Sequence, residues 1–127
     1  MEPKDIRILL VDDENGFRRP MEFWLKAKGY QVVGVDNGAD ALTQIERERP
    51  TIIYLDMKMP GMNGIETLAK IREKDKTLPV IMITAYGTPN DMKAAEALGV
   101  SGFFMKDDDF ASAAKLIVIA LETSKVL

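Results

Sequence analysis

Along the chain, short runs of aliphatic and β-branched residues alternate with longer stretches in which apolar residues recur at helical spacing. Short continuous apolar runs suit strands buried on both faces, and the 3.6-residue period suits helices lying on a sheet. Runs at residues 6–11 (IRILLV), 31–35, 51–55, 80–83 and 102–105 predict five strands. Helices are predicted between and after them, over about 14–28, 37–50, 65–74, 89–99 and from the acidic run 107–109 to about 124. Strictly alternating strands and helices predict one doubly wound α/β domain, a three-layer (βα)5 unit around a five-stranded parallel sheet.

Local signals set the limits of these elements. Phe17, Met21 and Leu25 form the buried stripe of the first helix, flanked by Phe23 and Trp24, and Gly29 is expected in the left-handed conformation that stops it. Asn37 is expected to cap the second helix, whose Ala41, Leu42 and Ile45 share a face. In the run MKMPGMNG at 57–64, Pro60, Gly61 and Gly64 are expected to exclude regular structure. On the last helix Phe110, Ala114, Ile117 and Leu121 are expected to face the sheet, and Leu116 and Ile119 to point away from it as a surface for a partner or a second copy.

Composition narrows the chemistry. The 127 residues include neither cysteine nor histidine, so disulfides, thiolate metal sites, a thiol nucleophile and a histidine proton shuttle are excluded within them. Seventeen basic and twenty acidic side chains, interspersed to a net charge of −3, give no basic footprint for nucleic acid. No apolar stretch approaches the ~18–20 residues that span a bilayer, and the opening MEPKD has no apolar signal core; a cytoplasmic domain is expected.

Ligands of doubly wound sheets bind outside the carboxyl ends of the strands. At those ends stand Asp12 and Asp13 after the first strand, Asp56 after the third, Thr84 after the fourth and Lys106 after the fifth. Singly, each has an ordinary reading as a helix cap, turn residue or solvated cation. Together they are complementary: three converging carboxylates repel one another unless a divalent cation is present, and an oxygen-only set suits Mg2+. A hydroxyl and an ammonium then match the oxygens of a phosphoryl group on Asp56.

The segments VDDE at 11–14, YLDMKMPGMNG at 54–64, ITA at 83–85 and FFMK at 103–106 make the chain resemble the receiver domain of bacterial two-component response regulators over essentially its whole length. The resemblance implies a flavodoxin-like fold, with residues 1–127 forming a single receiver domain. It implies that Asp56 accepts a phosphoryl group from a sensor histidine kinase, a phosphotransfer protein or a small phosphodonor. It further implies Mg2+ held by Asp13, Asp56 and the main-chain carbonyl of Lys58, with Asp12 acting largely through water. Thr84, Lys106 and the backbone N–H groups of Met57 and Ala85 would bind the phosphoryl oxygens. Thr84 and Phe103 would form the switch, acting on a surface made by the last two helices and the fifth strand.

Lys58 and Tyr86 stand where side chains steer or block water, and neither suits orienting a nucleophilic water, so slow self-dephosphorylation without stand-alone turnover is expected. The family usually places a proline after the lysine, with a cis peptide. Here Asp107 follows, and a cis bond would cost ~3–4 kcal/mol, so a trans, reshaped loop is expected. Two other readings remain open: a phosphorylation-independent pseudo-receiver adaptor, and a haloacid dehalogenase-like phosphatase, against which the adjacent acidic pair and the short chain argue. With no histidine among these residues, the phosphodonor imidazole is expected from another molecule, and these 127 residues are expected to hold the switch without an output domain, whether free-standing or cut from a longer regulator.

Overall fold

The computed structural model describes residues 1–85 and 87–124. Five strands, β1 (Arg7–Val11), β2 (Gln31–Val35), β3 (Ile52–Asp56), β4 (Val80–Thr84) and β5 (Gly102–Met105), form one sheet. All neighbours pair in parallel, in the order β2-β1-β3-β4-β5. Five α-helices alternate with them: α1 (Asn15–Ala27), α2 (Gly38–Arg47), α3 (Gly64–Lys74), α4 (Pro89–Ala97) and α5 (Phe110–Ser124). This is the expected three-layer, flavodoxin-like arrangement.

The boundaries follow local chemistry. Asn37 caps α2 by accepting from the Asp40 N–H at 2.7 Å, and Gly29 ends α1 with φ at 101°. Gly64 does not exclude regular structure as expected; it is the first residue of α3. The cap there is Asn63, which accepts from Glu66 N–H at 2.9 Å while Glu66 accepts from Asn63 N–H at 3.1 Å. Likewise α5 begins after the acidic run, with Asp109 Oδ1 accepting from Ser112 N–H at 2.9 Å. Asp56 and Thr84 close β3 and β4 from within, each one residue earlier than the sequence pattern places them relative to the strand end.

Alternation along the central strands feeds two cores. Ile8, Leu10, Tyr54, Ile81, Ile83 and Phe104 face α1 and α5 and meet Met21, Leu25, Ala113 and Ile117. Leu9, Val11, Ile53, Leu55, Val80 and Met82 face the other way, toward Ala41, Leu68, Ile71 and Ala95 of α2, α3 and α4. Leu116 departs from its expected outward orientation: it is half-buried against the first core. Its Cδ2 packs over Gly102 of β5, 3.6 Å from where a Cβ would stand, an ordinary packing distance. The outward apolar residues of α5 are Val118 and Ile119.

One buried cation ties α3 to α4. Arg72 donates to the carbonyls of Leu98 at 2.6 Å, Leu78 at 2.9 Å, Asp75 at 3.0 Å and Gly99 at 3.1 Å, closing the C-terminal end of α4 onto the turn after α3. Arg72→Ala is expected to destabilise the domain by roughly 2–4 kcal/mol, because several buried carbonyls lose their donor at once. Urea unfolding checks this, and a change under about 1 kcal/mol would show that water replaces the guanidinium.

Candidate functional site

Strand order reverses between β1 and β3, and the crevice lies at their carboxyl ends. Asp12 leaves β1 fully buried, its N–H donating to Val35 O of β2 at 3.1 Å. Beside it Asp56 is 3% exposed at the end of β3, and Thr84 is 1% exposed at the end of β4. From beyond β5, Lys106 reaches back so that Nζ lies 3.0 Å from Asp12 Oδ2 and 3.5 Å from Asp56 Oδ2. It also forms an ion pair with Glu14 and lies 5.0 Å from the centre of the Phe17 ring. The structure therefore brings Asp12, Asp13, Asp56 and Lys106 together, with Thr84 closing the neighbouring strand.

Burial and charge set the protonation of this cluster. Asp56 is pushed up to about 7, first by desolvation and then by the negative charge of Asp12, against the opposing pull of Lys106 and of the Lys58 N–H. Burial alone would lower Lys106, but its hydrogen bonds to Glu14 and Asp12 and the charges of Asp56 and Asp12 outweigh that and hold it above the ordinary lysine range.

The loop after β3 is shaped by a close approach. Gly64 packs so tightly that a Cβ there would lie 2.1 Å from Asp56 O and 2.8 Å from Met57 Cα, and its N–H donates to Met57 O at 3.1 Å. The start of α3 is thereby clamped under Asp56. Gly61, with φ at 74°, supplies the left-handed turn. The Met57 N–H, which the resemblance offers to a phosphoryl group, instead donates to Ile83 O at 2.8 Å as part of the sheet. The following N–H, that of Lys58, points to Asp56 Oδ1 at 3.3 Å.

A divalent cation suits this donor set. One carboxylate oxygen each from Asp12, Asp13 and Asp56 lies within 4.8 Å of the others. Asp56 Oδ2 and Thr84 Oγ1 are buried without a hydrogen bond, and Asp12 Oδ2, likewise buried, has only the charge of the Lys106 ammonium 3.0 Å away. Buried polar atoms are rarely left so, and a cluster of them between three acids is what a hard cation and its ligands would satisfy. Half-buried Asp13 opens the cluster to solvent, while Lys58 is exposed on the loop above it.

Other predicted residues fall as follows. Phe103 is half-buried against the core on the α4 side, while Phe104 is buried on the opposite face. Tyr86 lies outside the described residues. No cis peptide occurs among the described residues, so the Lys106–Asp107 bond is trans, and the loop still delivers Lys106 to the site. Sequence reasoning passed over Glu14 and Arg18. Glu14 stands at the N-cap of α1 and Arg18 four residues on, in its first turn, and the signal for them is proximity to the Asp12-Asp13 pair.

Fold and site together define an acidic-pocket, doubly wound domain whose central aspartate is faced by a lysine and a threonine. The profile of the response regulator receiver domain matches residues 8–117, and the chain belongs to that family of two-component signalling domains. It is 39% identical over 103 residues to sporulation initiation phosphotransferase F of Bacillus subtilis, covering 81% of this chain and 83% of that one. It is 35% identical over 124 residues to the transcriptional regulatory protein GlrR of Escherichia coli, covering 98% of this chain but only 28% of that longer protein. Among solved structures, a CheY-like receiver domain protein from Methanospirillum hungatei is similar with a TM-score of 0.89 and 26% identity, covering 94% of this chain and 96% of that one. No helix among the described residues is long and apolar enough to cross a membrane.

Proposed function

We propose that Asp56 is the phosphoacceptor of a signalling switch, residues 1–127 forming a single receiver unit. One observation carries this reading: a buried aspartate oxygen, Asp56 Oδ2, has no hydrogen-bond donor, yet faces the Lys106 ammonium beside an unpartnered threonine hydroxyl. An oxygen of Asp56 forms a bond to phosphorus as the donor's bond breaks, P–N in a phosphohistidine or P–O in acetyl phosphate. The leaving group keeps the electron pair. Asp12, Asp13, Asp56 and the Lys58 carbonyl would hold Mg2+, which supplies charge neutralisation for the transfer. Lys106, Thr84 and the N–H groups of Lys58 and Ala85 receive the phosphoryl oxygens, so positioning and charge do the catalytic work.

The donor imidazole belongs to a sensor histidine kinase or a phosphotransfer protein, because these residues contain no histidine. Phosphorylation draws Thr84 inward and lets Phe103 follow, altering the face of α4, β5 and α5, where exposed Met105, Val118 and Ile119 suit an effector or a second copy. Calorimetric titration with beryllofluoride, a phosphoryl stand-in, tests the assignment. Tight binding is expected only with Mg2+ present. Binding that ignores Mg2+, or none at all, would leave the phosphorylation-independent adaptor reading.

Lifetime provides a second prediction. Lys58 is an exposed cation two residues past Asp56 and cannot orient water as a carboxylate or amide does. Release of inorganic phosphate from the labelled protein is therefore expected to be slow. A half-life of seconds, unaltered by changes at Lys58 or Tyr86, would count against the roles given to those side chains.

A further inference from the structure

The acidic pair at the end of β1 is held by a strut that the phosphoacceptor chemistry above does not include. Past Val35 the β2 strand has ended, so no ladder donor faces the main-chain carbonyl of Asp12. Arg18, one turn into α1, fills that place: Nη1 donates to Asp12 O at 2.8 Å. With the Asp12 N–H already given to Val35 O, the backbone of Asp12 is fixed on both sides, and the peptide leading to Asp13 with it. Arg18 is in turn paired by charge with Glu22, one turn further on, whose Oε1 lies 3.5 Å from Arg18 Nε without a hydrogen bond. Both side chains are largely buried, at 11% and 21% exposed, so solvent screens the pair only weakly.

The third part of the strut is an absence of side chain. A Cβ on Gly34 of β2 would lie 1.3 Å from Glu22 Oε1 and 2.5 Å from its Cδ. The glutamate carboxylate points Oε1 at the bare strand there, and any larger residue would displace it. Glycine in a strand interior is otherwise unfavourable, and close approach by another group is a standing reason for it.

We propose that Gly34, Glu22 and Arg18 form a positioning strut that aims Asp12 and Asp13 at the cation, so that metal affinity is set partly from the edge strand β2. The proposal rests on the reading of the acidic cluster as an Mg2+ site. Arg18 touches neither the cation nor the phosphoryl group in this scheme; it acts through the Asp12 backbone. A ligand set loses affinity when its supporting groups are removed, typically by about 10–100-fold.

The substitution Gly34→Ala gives the sharpest test, because the new methyl meets only the end of a flexible side chain. Glu22 swings away, the fold bears the change, and no residue of the site is touched. Mg2+ titration calorimetry of the full chain is expected to show about tenfold weaker binding for Gly34→Ala and for Glu22→Gln, and a larger loss for Arg18→Gln. The double variant Gly34→Ala/Glu22→Gln should be no weaker than either single one, because both remove the same contact. Arg18→Lys, which keeps one donor for Asp12 O, should recover part of the affinity. Arg49→Gln breaks an ion pair with Asp75 at the opposite end of the sheet and controls for stability; it should leave Mg2+ binding unchanged.

Unchanged affinity in Gly34→Ala and Arg18→Gln, with the wild type binding normally, overturns the strut. Absence of Mg2+ binding in the wild type would instead overturn the metal-site reading. Amide exchange in metal-free protein still decides the strut in that event. The Glu14 N–H, which donates to Asp12 Oδ1 at 2.8 Å, should exchange several-fold faster in Arg18→Gln and at the wild-type rate if Arg18 does not position Asp12.

Discussion

Replacing Asp56 by asparagine is expected to abolish incorporation of label from radioactive acetyl phosphate with Mg2+, by more than about a thousandfold, because an amide is no nucleophile toward phosphorus. The same variant should be more stable than the parent in metal-free buffer at pH 8. Asp56 is pushed up to about 7 by its burial and by the charge of Asp12. Between about pH 4 and pH 7 the folded protein therefore holds a proton that the unfolded chain has released. Stability falls as pH rises through that window, and the full penalty is present above it. Asparagine never ionises and so escapes the penalty, while Lys106 keeps Asp12 and Glu14 as partners. The expected gain at pH 8 is roughly 2–4 kcal/mol, shrinking toward zero near pH 4. Thermal melts of both proteins across this range check the sign. A variant less stable than the parent at pH 8 would show that the Asp56 charge is stabilised in the fold, and labelling that persists would move the phosphoacceptor elsewhere.

That a single substitution should both end the chemistry and strengthen the fold reflects how the site is built. Asp12 and Asp56 are buried side by side with one lysine between them, which leaves the pocket short of positive charge. The fold bears this cost because the strands that deliver the acids are deeply buried: every residue of β3 is buried, and every residue of β1 after Arg7. A cation, and then a phosphoryl group with its own partners, would relieve the strain that the metal-free protein carries.

The strands and the rim were legible because both faces of a central parallel strand are buried. Such strands read as unbroken apolar runs, and a polar residue at the end of each run stands out at once, as Asp12, Asp56 and Thr84 do; Lys106 stands out likewise after the short apolar run of the edge strand β5. What those side chains touch was not legible. The partnership of Lys106 with Glu14, rather than with the adjacent aspartates 107–109, depends on the rotation of α1 about its axis. The same holds for Arg18, whose spacing from Asp12 fits a helix but whose guanidinium finds a carbonyl that the sequence leaves unmarked. Leu116 departs from its expected face because helical period gives a face only to within a residue, and the surface it packs over, at Gly102, belongs to a different element. Composition alone makes Gly64 a breaker of regular structure, although Asn63 and Glu66 around it carry the signature of a helix start.

Gly64 is also where fold and chemistry are most tightly joined, and Gly64→Ala is expected to damage both. The added Cβ would lie 2.1 Å from the Asp56 carbonyl oxygen and 2.8 Å from Met57 Cα. Both are backbone atoms of a buried strand end, so neither can rotate away as a side chain could. Either α3 lifts from the sheet, losing the contacts of Leu68 and Ile71 with the core, or the Asp56–Met57 peptide moves. The first costs packing and the second costs the hydrogen bond from Met57 to Ile83 together with the aim of the Asp56 carboxylate. A loss of about 3–5 kcal/mol in urea unfolding is expected, in the range that only overpacking and comparable defects produce. In whatever fraction stays folded, Mg2+ affinity should fall as well, since a shift of about 1 Å at a reacting group is costly. If Gly64→Ala were to unfold at the parental urea concentration and bind Mg2+ at the parental affinity, the clamp of α3 against Asp56 would have no part in holding the acid in place.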